Sequence, residues 1–176
     1  MIQLSLLMLW LAIFFGILGF LRGWNKELIA TAGIVLALFA IFQFDGFFRG
    51  TLFLTLPPTQ VFFIQFTIFF AVVAFVYQAR DLAGTQNRNE DDWQSGFLGV
   101  LIGALNGYLI GGSLWYFLDI NEYPIEQFVV APGANSASAQ SLHLMPILLL
   151  GGGASGTGDL MAFGVLILLF IVLVVI

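Results

Sequence analysis

Of the chain's 176 residues, 60% are hydrophobic and 9% charged, against roughly a quarter charged in an ordinary soluble domain, too few to coat a water-soluble surface. The net charge of -5 argues against nucleic acid, which calls for a clustered basic face. The absence of cysteine excludes disulfides, thiolate catalysis, iron–sulfur clusters and cysteine zinc sites.

The pattern predicts an all-α, polytopic transmembrane bundle of four to five spans, with a long extracytoplasmic loop before the last. Apolar windows run over residues 2–21, 28–44, 61–79, 97–118 and 160–176, near the about 20 residues that cross a ~30 Å hydrocarbon core. Residues 1–118 are expected to form a four-helix transmembrane bundle. Residues 119–159 are expected to form an acidic, glycine-rich extracytoplasmic loop with a short interfacial apolar segment, and 160–176 a C-terminal transmembrane helix.

The first span reads as a mature helix because Arg22 and Lys26 follow its apolar run, the reverse of a cleaved signal. Gly16, Gly19 and Gly23 give it a small face. A loop of Arg22-Gly-Trp-Asn-Lys-Glu27 is short enough for a tight antiparallel hairpin, and Ala30, Gly33, Ala37 and Ala40 line the second span with small residues. Pro57-Pro58 ends any helix in the next connection. The third, Arg80 to Gly96, carries Glu90-Asp91-Asp92, which reads as a solvated charge run and not a metal site.

In the fourth span Gly99, Gly103, Gly107 and Gly111 recur every four residues, leaving one helix face without side chains. In lipid such a face admits another backbone closely, either the first or second span of the same chain or a helix of a second copy or partner subunit. Asn106, beside this stripe, is expected to hydrogen-bond to a neighbouring helix, with pore lining as the minority reading.

Beyond the fourth span, Leu142 to Leu150 is apolar but too short to cross and is expected to be surface-lying or re-entrant. Gly151 to Gly158 reads as a flexible linker. It has no lysine nearby to make it phosphate-binding. His143, the sole histidine, reads as a surface residue. The many phenylalanines are assigned to lipid by default.

This reading places no ionisable residue deep inside a span, which disfavours proton relays and ion-coupled transport. It assigns no catalytic residue, cofactor or metal. Arg22, Lys26, Arg80 and Arg88 in loops one and three put those loops in the cytoplasm, and the N-terminus and the 119–159 loop outside. Trp24 and Tyr77 would then sit at the inner interface, and Trp115 and Tyr116 at the outer one.

Gly16-Ile-Leu-Gly-Phe-Leu-Arg22-Gly23-Trp-Asn-Lys26-Glu27-Leu28, the later Gly96-Phe-Leu-Gly99-Val-Leu-Ile-Gly103-Ala-Leu-Asn-Gly107 and the apolar Met145-Pro146 segment together resemble the colicin V production (CvpA) family. The chain departs from that family in having Trp93-Gln-Ser95 where a basic residue usually precedes the glycine-rich helix, and in its longer acidic loop and final span. The resemblance implies a small polytopic protein of the bacterial inner membrane, linked loosely to secretion and envelope processes, and does not imply an enzyme. The leading reading is a non-enzymatic scaffold or assembly factor. An accessory subunit of a larger photosynthetic or respiratory complex and a passive channel are the alternatives. The expected partners are the lipid bilayer and other membrane subunits or the chain itself, with no nucleic acid.

Overall fold

The computed structural model describes residues 3–79, 92–152 and 156–175. Arg80, Arg88 and the Glu90-Asp91 part of the charged loop lie outside the described residues, as do residues 153–155 of the glycine-rich run. Every regular element among the described residues is helical: α1 (Leu4–Arg22), α2 (Trp24–Phe47), α3 (Pro58–Ala79), α4 (Asp92–Ile120), α5 (Ala137–Gln140), α6 (Pro146–Gly151) and α7 (Asp159–Val175). Four stretches are long and apolar enough to cross a membrane: Leu4–Arg22, Trp24–Leu52, Pro58–Gln78 and Trp93–Ile120. The chain is therefore a multi-pass membrane protein. The last helix, α7, is apolar but shorter.

α2, α3, α4 and α7 begin earlier than their apolar windows do. The connection between α1 and α2 shrinks to Gly23, whose φ of 81° lies in the left-handed region, and whose amide donates to Gly19 O at 2.9 Å. A side chain there would carry the strain of that conformation and also meet Ser95 Oγ at 2.9 Å. Because one residue makes the turn, Trp24, Asn25, Lys26 and Glu27 belong to the first turn of α2 and not to a loop.

α4 is the hub, touching α1, α2, α3 and α6. Despite their one-residue link, α1 and α2 touch each other little, so the expected hairpin is opened and α4 takes the place between its arms. The reason lies in the glycines. A Cβ on Gly99, Gly103 or Gly107 would collide with the backbone oxygens of Gly19, Phe15 and Leu11 respectively, while Gly111 faces Met8 Cα and Leu11. α1 thus runs antiparallel along the entire ladder, close enough for Cα–H to carbonyl contacts. Gly33 lies elsewhere, against Val76 of α3.

The apolar core is formed by Ile34 and Leu38 of α2, Phe69 of α3, Trp115 and Phe117 of α4, Met145, Ile147 and Met161, all at 1% exposure or less. Trp115 therefore does not sit in an interfacial belt; it turns into the protein, where its indole N–H finds Tyr123 Oη at 3.1 Å. The Leu142–Leu150 segment forms a 3-10 turn followed by α6. Met145, Pro146 and Ile147 are buried, with Pro146 against Gly112. The middle of the segment thus packs into the helix bundle, while Leu144 and Leu149 stay exposed. Large apolar side chains cover the outward faces, among them Trp10, Ile17, Phe70, Phe75, Leu101 and Phe163.

Candidate functional site

Asn106 is the central residue of α4, and what it touches is a carboxylate. Its amide donates to Glu27 Oε2 at 2.8 Å and to Glu27 O at 3.0 Å, and its oxygen accepts from Thr31 Oγ1 at 2.7 Å. Thr31 also donates to Glu27 O at 2.9 Å. Tyr77 of α3 brings a third helix, its hydroxyl donating to Glu27 Oε2 at 3.0 Å. Glu27 is fully buried, so an ionisable side chain does lie inside the bundle. Sequence reasoning did not place Glu27 there, because the charged Arg22–Glu27 stretch reads as a loop until the turn is seen to need one residue.

Arg22 completes the cluster. Its Nε lies 3.5 Å from Glu27 Oε1, its Nη2 donates to Tyr77 O at 3.2 Å, and its guanidinium sits 4.4 Å from the centre of the Tyr77 ring. Tyr77 lies in the last turn of α3, where carbonyls lack partners within the helix. A cation there satisfies one carbonyl and complements the helix dipole. Tyr77 was expected at an interface, but it points inward, with Phe15 of α1 packed edge-on at 5.6 Å. Four helices therefore meet through one ion pair and its hydrogen bonds. Charge-assisted bonds of this kind are the stronger class, and a buried carboxylate tolerates loss of water only when so supplied.

A second polar cluster closes the opposite end. Asn106 and Asn121 are 15 residues apart, roughly 22 Å along the helix direction at 1.5 Å per residue. Asp45 at the end of α2 accepts from Arg49 Nε at 2.9 Å and from Gln65 Nε2 at 3.0 Å. Asn121 donates to Gln65 Oε1 at 2.8 Å and accepts from Arg49 Nη2 at 3.2 Å. α2, α3 and the end of α4 are thereby tied together. Beyond it opens a cleft of about 550 Å³ lined by Pro58, Thr59 and Asn121 to Phe128. Glu122 and Tyr123 at its mouth have φ of 60° and 53°, a sparsely populated region for non-glycine residues.

Tyr123 holds that turn. Its hydroxyl donates to Asp119 Oδ1 at 3.0 Å and accepts from Trp115. Burial pushes the phenol up to about 12; the Trp115 hydrogen bond opposes this and the Asp119 charge adds to it. The fold thus favours the neutral phenol. That contribution is complete below the unfolded value of about 10 and is lost as pH climbs from there to about 12. Trp115 fluorescence is expected to stay constant through neutral pH and change in this alkaline window. Tyr123→Phe should abolish the change and cost about 1–2 kcal/mol by leaving the indole N–H unpaired.

The structure separates the small residues singled out in the sequence into two groups. Gly16, Gly19, Gly99, Gly103, Gly107 and Gly111 share the α1–α4 contact, Gly33 serves α2–α3, and Asn106 sits beside the ladder but faces α2. The sequence reading missed Glu27, Arg22, Tyr77 and the Asp45–Gln65–Asn121 group. A signal for the first was present: a mid-span asparagine requires a polar partner, and Glu27 lies one helical turn before Thr31 on the same face. His143 is exposed. No group of three histidine or acidic side chains among the described residues is placed to hold a metal ion.

The family model for the colicin V production protein matches residues 4–146. The chain belongs to the colicin V production protein family. The matched region takes in α1 to α4 and the following loop up to the first residue of α6, leaving α7 beyond it. It contains every residue of both polar clusters. No curated protein and no solved structure matches the chain. Within this family member, the Gly-x-x-Arg-Gly stretch at the first turn has a physical reading at each position. Gly19 admits α4, Arg22 caps α3 and faces Glu27, and Gly23 makes the left-handed turn.

Proposed function

We propose that this chain is a non-enzymatic scaffold or assembly factor of the bacterial cytoplasmic membrane, holding partner membrane proteins against its apolar helix faces. The observation that carries this reading is the use of its buried polar side chains. Among the described residues, the seven polar or charged residues that are buried, Glu27, Thr31, Gln65, Asn106, Ser113, Asn121 and Ser138, each make a hydrogen bond within the chain. Polar groups that tie helices together this way favour a fixed bundle, whereas a conducting pore presents them to a lumen.

Arginine and lysine placement supports an orientation with the Arg22 end of the bundle in the cytoplasm. The N-terminus and residues 119–159 are then outside. A cysteine at exposed Asn135 should accordingly react with an impermeant reagent on intact cells; reaction only after permeabilisation would reverse the assignment.

The functional reading is tested by extracting the protein gently from native membranes and weighing the intact complexes. Complexes with other membrane proteins, together with no conductance of the pure protein in planar bilayers, are the expected result. A conductance that Asn106→Leu alters would replace this reading with a channel, and one fixed stoichiometric partner set would make the chain a structural subunit.

A further inference from the structure

We propose that Glu27 is a reversible proton-binding site inside the membrane bundle, taking its proton on Oε1 from water at the Arg22 end. The two carboxylate oxygens are unequally supplied. Oε2 receives both Tyr77 and Asn106, whereas Oε1 is buried without a hydrogen-bond donor. Arg22 Nε stands 3.5 Å from Oε1, near enough to balance its charge but beyond ordinary N–H···O length.

A proton can therefore bind Oε1 without displacing either donor on Oε2. The step forms one O–H bond, breaks none within the protein, and converts carboxylate to carboxylic acid, so the Arg22–Glu27 pair goes from neutral to +1. The titratable groups facing Glu27 are Arg22 from the end of α1 and Tyr77 from α3. α4 presents the neutral Asn106, and α2 itself carries Thr31 and, adjacent in sequence, Lys26. The Arg22 side chain is 19% exposed while that of Glu27 is fully enclosed, so Arg22 marks the side from which water reaches the pair. A buried ionisable group in a membrane bundle is a functional position by default, and proton binding here is independent of the scaffold role.

Infrared difference spectroscopy of the full-length protein in lipid membranes, recorded as the medium is made acidic and then returned, reads the site directly. The wild type should gain a narrow carboxylic C=O band characteristic of an enclosed group, and Glu27→Gln should lack it. Absence of the band in the wild type, or its persistence in the Gln variant, overturns the proposal. Should Glu27→Gln fail to fold, Tyr77→Phe decides: it removes one donor from Oε2 but leaves the carboxyl. The band must then move to higher wavenumber, and an unmoved band belongs to another carboxyl and overturns the assignment.

Discussion

Gly103→Leu and Gly107→Leu are expected to be strongly damaging, at or above the upper end of the ~1–3 kcal/mol typical of overpacking. The geometry explains why the cost runs high. The first atom of any side chain at these positions would strike the backbone of α1, at Phe15 O and Leu11 O, and backbone cannot rotate aside as a side chain can. Even Gly103→Ala should separate the helices. The damage should fall along the ladder. At Gly111 a Cβ meets the end of the Leu11 side chain at 3.0 Å and Met8 Cα at 3.2 Å, a looser fit than at Gly103 or Gly107. At Gly16 it finds ordinary contacts of 3.4 and 3.5 Å, so Gly16→Ala should be neutral or gain up to about 1 kcal/mol of helix propensity. Leu101→Phe, on an exposed position, is the control and should be near neutral. Unfolding of the monomer in mixed detergent micelles gives the ranking. A flat series would mean that α1 does not occupy the ladder.

Arg22→Leu is expected to cost about 3 kcal/mol, the lower part of the range for breaking one side of a buried pair, because Arg22 keeps some contact with water. The loss comes from Glu27, left charged and enclosed with only Tyr77 and Asn106 to support it, and from the uncapped Tyr77 carbonyl. Glu27→Leu should cost less, since Arg22 can extend toward the membrane surface while keeping its bond to Tyr77 O. The informative variant is the double one. Arg22→Leu with Glu27→Leu removes both charges, so it should be more stable than Arg22→Leu alone, giving a coupling of at least 1 kcal/mol. Strict additivity would show that the two side chains do not sense each other.

Much of the architecture is written in single-residue spacing. The apolar windows locate all the spanning helices, and the four-residue glycine repeat marks the face of α4 that receives a backbone. Which helix fills that face is not local information: Gly16 and Gly19 on α1 and Ala30, Gly33 and Ala37 on α2 are all small, and only three-dimensional register assigns α1 to the ladder. Glu27 was illegible for a different reason. Charge reads as loop, and a one-residue turn with Gly23 at positive φ pulls four polar or aromatic residues into a helix. Trp115 and Tyr77 were misplaced because an aromatic with a polar tip suits a membrane interface and a buried hydrogen bond equally well. Their partners, Tyr123 and Glu27, decide between the two.

The meeting of Glu27 and Asn106 at the centre of α4 is the claim on which the account of the polar core rests. Solid-state NMR on the protein in lipid bilayers, with glutamate carboxyl carbons labelled ¹³C and asparagine side-chain amides ¹⁵N, measures that meeting without perturbing it. The account predicts a strong dipolar coupling that vanishes in Asn106→Leu, corresponding to the 2.8 Å bond from Asn106 Nδ2 to Glu27 Oε2. A spectrum with no glutamate–asparagine coupling, or one unchanged by Asn106→Leu, would contradict it.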